Sequence, residues 1–72
     1  MANHELRSEV TGTVWKVEKA VGDRVGDGDV VMILESMKME IPVEAEDDGT
    51  IESVTVAEGD TVSEGDVVAT IG

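Results

Sequence analysis

Short runs of Val, Ile and Thr alternate with Gly-Asp dipeptides along most of this chain. β-branched residues favour strands and glycine supplies the positive φ of tight turns, so the pattern predicts short strands broken by turns. The turn dipeptides are Gly22-Asp23, Gly28-Asp29, Gly59-Asp60 and Gly65-Asp66. No stretch combines a helical period with adequate length and caps. Ser53 to Ser63 is too rich in β-branched residues, and Gly59 interrupts it. In Val30 to Leu34 every position is apolar, so periodicity there does not tell which face is buried. The expected fold is all-β, with about eight short strands in two small sheets packed as a flattened β-barrel or sandwich.

The pattern also repeats. Residues 12–34 align with residues 49–71 without a gap, and eleven of the 23 aligned pairs are identical. They include Gly12/Gly49, Val17/Val54, Gly22-Asp23/Gly59-Asp60, Val25/Val62 and the run Gly28-Asp29-Val30-Val31 against Gly65-Asp66-Val67-Val68. Two copies of one supersecondary unit predict a domain with internal two-fold pseudosymmetry, since larger repeat arrays need more copies. The core of the domain is expected over about 10–71, with 1–9 as an N-terminal strand or tail, and the whole of 1–72 as one unit.

Between the copies lies Glu35-Ser36-Met37-Lys38-Met39-Glu40-Ile41-Pro42. Val30 to Ser36 reads as a strand, and Met39 to Ala45 as the next, with Pro42 tolerated near an edge. A two-residue gap makes a tight hairpin whose central residues both need φ > 0, a geometry that favours Asn-Gly or Asp-Gly. Here the central pair is Met37-Lys38, although the chain spends glycine freely elsewhere. Local rules tend to be broken where function holds residues in place. Such a turn projects Lys38 into solvent.

Composition narrows the function classes. A chain of 72 residues holds one domain with a thin core. The absence of cysteine excludes disulfides, thiolate metal sites and thiol catalysis. One histidine and no cysteine leave little for nucleophilic catalysis, so a non-catalytic protein is expected. The net charge of -12 repels phosphate backbones, and Trp15 is the only aromatic residue, which argues against nucleic acid as a partner. The same charge predicts that partners present basic surfaces. The longest apolar run, Val30 to Leu34, is too short to span a bilayer, and Met1 to Glu9 lack the apolar segment of a secretory signal. A cytoplasmic monomer is expected.

Asp27-Gly28-Asp29 and Asp47-Asp48-Gly49 lack the spacing and closing Glu of a calcium loop, so turn acids are the better account and no metal site is expected. Gly22, Gly26 and Gly28 precede no helix and form no phosphate-binding fingerprint. His4 reads as a histidine of a flexible polar stretch. Trp15 stands where the second copy has Glu52, which predicts a partly exposed position, for a partner contact or for packing.

The segment Glu35-Ser36-Met37-Lys38-Met39 resembles the attachment motif of biotinyl domains, in which a lysine between two methionines takes the cofactor. A Gly-Asp-x-Val-x-x-Gly-Asp pattern precedes it at Gly22 to Asp29 and follows it at Gly59 to Asp66, again as in that family. The resemblance covers about Val10 to Ile71 and is greatest to stand-alone bacterial biotin/lipoyl attachment proteins. It implies covalent biotin on Lys38, attached by a biotin protein ligase that reads Glu35, Ser36, Met37, Met39 and Glu40 around it. It further implies a carrier that moves carboxybiotin between biotin carboxylase and carboxyltransferase sites.

Two competing readings remain at this level. Glu-Ser also precedes the lysine of the sister lipoyl domains, which carry acyl groups for 2-oxo acid dehydrogenase-like systems. Met37, where lipoyl domains usually have Asp, and Met39 favour biotin. A cofactor-free β interaction module is the third possibility.

Overall fold

The computed structural model describes residues 4–72. They form eight strands: β1 (His4–Arg7), β2 (Gly12–Val17), β3 (Arg24–Val25), β4 (Val30–Ser36), β5 (Met39–Glu44), β6 (Gly49–Val54), β7 (Thr61–Val62) and β8 (Val67–Ile71). Among the described residues there is no helix. One antiparallel sheet has the order β1-β8-β6-β3 and the other β5-β4-β2-β7. The all-β reading therefore holds.

The pairing registers show a longer repeat than residue identity does. His4 pairs with Ile71 and Leu6 with Ala69, while Ile41 pairs with Leu34 and Val43 with Met32. Each pair is the other displaced by 37 positions, so β1 is the twin of β5, β2 of β6, β3 of β7 and β4 of β8. Both sheets even break register at the same places. The β8–β1 ladder skips Val68 as the β4–β5 ladder skips Val31. The β2–β4 ladder shifts between Val14 and Lys16, and the β6–β8 ladder between Ile51 and Ser53. The copies interlock, because each sheet takes two strands from each copy.

The core obeys the same operator. Leu6/Val43, Val14/Ile51, Val25/Val62, Val31/Val68, Met32/Ala69 and Leu34/Ile71 are all buried, and the pair Ser8/Ala45 completes the set. Among the described residues Ser8 is the one buried polar residue, and its hydroxyl donates to the carbonyl of Val10. Its backbone takes the place that Ala45 takes in the other half: Ser8 N–H donates to Asp66 O and Ala45 N–H to Asp29 O, each at 2.8 Å.

The Gly-Asp dipeptides form one turn used four times. Gly22, Gly28, Gly59 and Gly65 have φ between 90° and 96°. In each turn the following Asp N–H donates to the carbonyl three residues back, as a type II turn requires. The Asp carboxylate accepts the N–H of that same residue: Asp23 from Ala20, Asp29 from Gly26, Asp60 from Ala57 and Asp66 from Ser63, at 2.8–2.9 Å. Asp48 accepts the N–H of Asp27 at 3.0 Å. These acids cap turns, as their spacing implied. His4 departs from expectation: it belongs to β1, paired with Ile71, and its Nε2 lies 3.3 Å from Glu46 Oε1. Backbone pairing to β8 orders what a polar composition had suggested was loose.

Candidate functional site

The strands β4 and β5 run in unbroken register from Met32↔Val43 to Ser36↔Met39. Met37 and Lys38 are thus the two central residues of a two-residue hairpin. Their φ values are 54° and 65°, and they are the only non-glycine residues with positive φ among those described. That is the left-handed pair a type I′ turn demands, and it costs about 1–2 kcal/mol for each side chain with a Cβ. The long β4–β5 ladder holds the strain in place.

The hairpin gathers all six residues singled out by the motif. Glu35 and Ser36 end β4, Met37 and Lys38 form the turn, and Met39 and Glu40 begin β5. Met37 is 92% exposed, Met39 63%, and Lys38 is exposed between them. Methionines this open do not serve the core. Glu35 and Glu40 are directly opposed and both exposed, a like-charge pair that disfavours the ladder. Among the described residues Lys38 enters no ion pair.

Two residues outside the motif support the tip. The Ser36 hydroxyl donates to the carbonyl of Thr11 at 2.9 Å, which ties the end of β4 to the start of β2. A Cβ on Gly12 would collide with the carbonyl oxygen of Glu35, so only glycine lets β2 pass this close beneath the hairpin. Gly49 plays the twin role against Ile71 and Gly72. The match Gly12/Gly49 in the repeat was the visible signal for this pair, but not for what it supports.

The other lysines differ. Lys16 lies in β2 with its Nζ 3.9 Å from Glu18 Oε2. Lys19 is half-buried, with its N–H donated to Val31 O at 3.1 Å. Neither stands on a tight turn. A cleft of about 400 Å³ opens between β1 and β5, lined by Leu6, Leu34, Ile41 and Val43 with Glu5, Glu44 and Glu46 at its rim. Lys38 is outside it, on a projecting tip. The arrangement leaves the primary amine of Lys38 exposed at a projecting tip.

Known proteins share this architecture. The biotinylated protein TB7.3 homolog of Mycobacterium leprae is 51% identical over 41 residues, which are 57% of this chain and 58% of that protein. The biotin/lipoyl attachment protein of Bacillus subtilis is 50% identical over 38 residues, 53% of this chain and 52% of that one. The match thus spans little more than half of these relatives. The crystal structure of the Kluyveromyces lactis urea carboxylase superposes on the whole of this chain with a TM-score of 0.95 and 43% identity, using 6% of that enzyme. The family model described as "Biotin-requiring enzyme" matches residues 2–71. With nearly its whole length matched, the chain belongs to the biotin/lipoyl attachment family.

Proposed function

We propose that this chain is a biotin carboxyl carrier whose Lys38 takes biotin in amide linkage from a biotin protein ligase. The observation that carries the reading is the hairpin tip: a lysine held in left-handed backbone between two exposed methionines. A ligase has to bring its acyl adenylate to a bare side chain, which requires an amine on a rigid and open element. In that step the Nζ attacks the acyl carbon of biotinyl-adenylate. The C–N bond forms, the bond from the acyl carbon to the phosphate oxygen breaks, AMP leaves, and the ammonium proton passes to the ligase or solvent.

When bound, biotin supplies a ureido nitrogen that accepts a carboxyl group at one active site and yields it at another. The protein's part is to present the arm. The two-residue turn fixes the direction of Lys38, and the tether keeps the head group at high effective concentration near biotin carboxylase and carboxyltransferase sites. The relatives named as biotinylated proteins support biotin over lipoate. So do Met37 and Met39 in place of the lipoyl pattern.

The test is incubation with biotin protein ligase, biotin and ATP, read by intact mass and peptide mapping. One biotin on Lys38 is expected. The Met37→Asp/Met39→Ala double variant is expected to lose biotin incorporation and to gain acceptance by a lipoyl ligase. Unchanged biotin incorporation in that variant overturns the assignment of discrimination to the methionines.

A further inference from the structure

The twin strands β1 and β5 are edge strands of opposite sheets, and they lie side by side. The pseudo-two-fold passes between them, so each residue beside it has an internal control in the other half. In one half the ground next to β1 is bridged. The Arg7 guanidinium donates to Gly65 O at 2.9 Å and to Glu5 Oε1 at 2.6 Å. His4 Nε2 lies 3.3 Å from Glu46 Oε1. In the other half neither bridge can form. The twin of Arg7 is Glu44, and a carboxylate has no donor for the carbonyl of Gly28, the twin of Gly65. The twin of His4 is Ile41, which offers nothing to Glu9, the twin of Glu46. On that side the cleft of about 400 Å³ opens, with buried Leu6, Leu34 and Val43 at its floor and half-buried Ile41 at its wall. Glu9 and Asp27 join Glu5, Glu44 and Glu46 around it, against one cation, Arg7, that Glu5 and Gly65 already hold.

We propose that this cleft docks an arginine from a basic, extended segment of a protein partner. The methylenes lie on Leu6, Ile41 and Val43. The guanidinium takes the place among Glu44, Asp27 and Gly28 O that a twin of Arg7 would have filled. The site is separate from Lys38 and does not depend on what Lys38 carries.

The chemistry selects arginine. A carboxylate rim alone attracts any cation, and an apolar floor alone any aliphatic group. Arginine joins a long apolar stem to a weakly hydrated, planar head whose donors fit carboxylate and carbonyl acceptors together. Arg7 shows the same backbone frame accommodating such a head, with one carbonyl and one carboxylate as acceptors. The segment is extended because two edge strands flank the cleft, each with a row of backbone groups that its own sheet does not pair. A volume of about 400 Å³ is at the small end of ligand sites, which run from roughly 300 to 1,000 Å³. It seats one long side chain rather than a folded surface. A second copy of the chain is a poor occupant, because a net charge of -12 opposes its own approach.

Position gives the contact a use. From Glu44 back to Met39 is roughly 17 Å of strand. A partner held at the cleft leaves the tip uncovered, so Lys38 can enter an active site while the domain stays tethered.

The probe is a capped pentapeptide, lysine-valine-arginine-valine-lysine, titrated into the unmodified, isotope-labelled chain and followed by amide NMR. Shifts confined to Leu6, Asp27, Gly28 and the segment from Ile41 to Ala45 are expected. The same peptide with citrulline in place of arginine keeps the shape without the charge, and should bind about tenfold more weakly. Equal binding of the two overturns the choice of arginine. Glu44→Arg copies the residue of the other half, so it should close the cleft and weaken the native peptide about tenfold. Glu52→Arg makes the same change of charge on the other sheet and should leave binding within about twofold. Ile41→His gives Glu9 the partner that Glu46 has in His4. It should weaken binding too, and it replaces Glu44→Arg if that variant does not fold. Equal losses from Glu44→Arg and Glu52→Arg, or shifts spread over the whole acidic surface, overturn the site in favour of unspecific attraction. A dimer of the chain alone in sedimentation, dissolved by Glu44→Arg, overturns it in favour of a second copy. Absence of shifts at millimolar peptide overturns it outright. Attachment of biotin to Lys38 is read separately by mass, so either reading can fail without the other.

Discussion

The β4–β5 hairpin and the β8–β1 ladder are one structural unit used twice, in one case closed by a turn and in the other not. Both ladders pair in the same register and skip the twin valines Val31 and Val68, each fully buried. Both rest on a glycine that lets the next strand pass beneath, Gly12 in one half and Gly49 in the other. The β8–β1 side therefore shows what folding requires at such a place. What the hairpin has in addition is two left-handed side chains and two exposed methionines, with opposed glutamates behind them. None of these stabilises the fold, and the left-handed backbone and the opposed glutamates work against it. The difference teaches that the demands of folding do not account for the tip.

The sharpest way to break this comparison is Lys38→Arg. Biotinylation should fall to zero by intact mass, because a guanidinium stays protonated and delocalised and has no free amine lone pair to attack the adenylate. Thermal unfolding should be unchanged to within about 0.5 kcal/mol, since an exposed tip contributes little packing. Biotin appearing on Lys16 or Lys19 would end the claim that the tip is special.

Gly12→Ala and Gly49→Ala sharpen it. Each places a methyl against backbone or a core methyl, and each should cost about 1–3 kcal/mol in urea denaturation. Only Gly12→Ala displaces the strand beneath the hairpin. It should lower the ligase kcat/KM by about tenfold, close to 1.4 kcal/mol, while Gly49→Ala leaves it within twofold. Equal effects on labelling would show that the two ends are not functionally distinct.

A third change separates stability from function at one residue. Met37→Gly removes a Cβ from left-handed backbone and should stabilise the chain by about 1 kcal/mol, less what glycine loses in entropy on folding. It should also slow biotinylation, since the exposed thioether is gone. A variant that is no more stable would mean that the turn is unstrained. The smallest effect is expected for Ser36→Ala, which removes the bond to Thr11 and should cost about 0.5–1 kcal/mol by thermal unfolding.

Much of this architecture could be read from the chain. The Gly-Asp turns announced themselves because each needs a glycine for its positive φ and a carboxylate to cap it, and few other residues satisfy both demands. Lys38 and its neighbours were visible because the repeat stops there and the turn chemistry is wrong. The relation of β1 to β5 was hidden. Leu6 and Val43 answer the same need for a buried apolar residue, but His4/Ile41 are only half-buried and Arg7/Glu44 are exposed, so burial does not hold their identities alike. Residue identity then fails even where backbone geometry is conserved between the halves. Ser36 was ambiguous as a motif residue, and its hydrogen bond to Thr11 depends on a strand that is distant in sequence.

The sequence by itself determined the strand class, the four turns, the approximate two-fold and the exposed lysine, since all of these follow from local backbone preference and spacing. Only the tertiary structure decided that the copies interlock across two sheets, that β1 completes the first sheet, and that Gly12 must be bare beneath Glu35. It also decided that Trp15 shares an outer face with Ile33 and Pro42. Those are contacts between residues far apart in the chain, and they exist only once burial of the shared core has set the register of every strand.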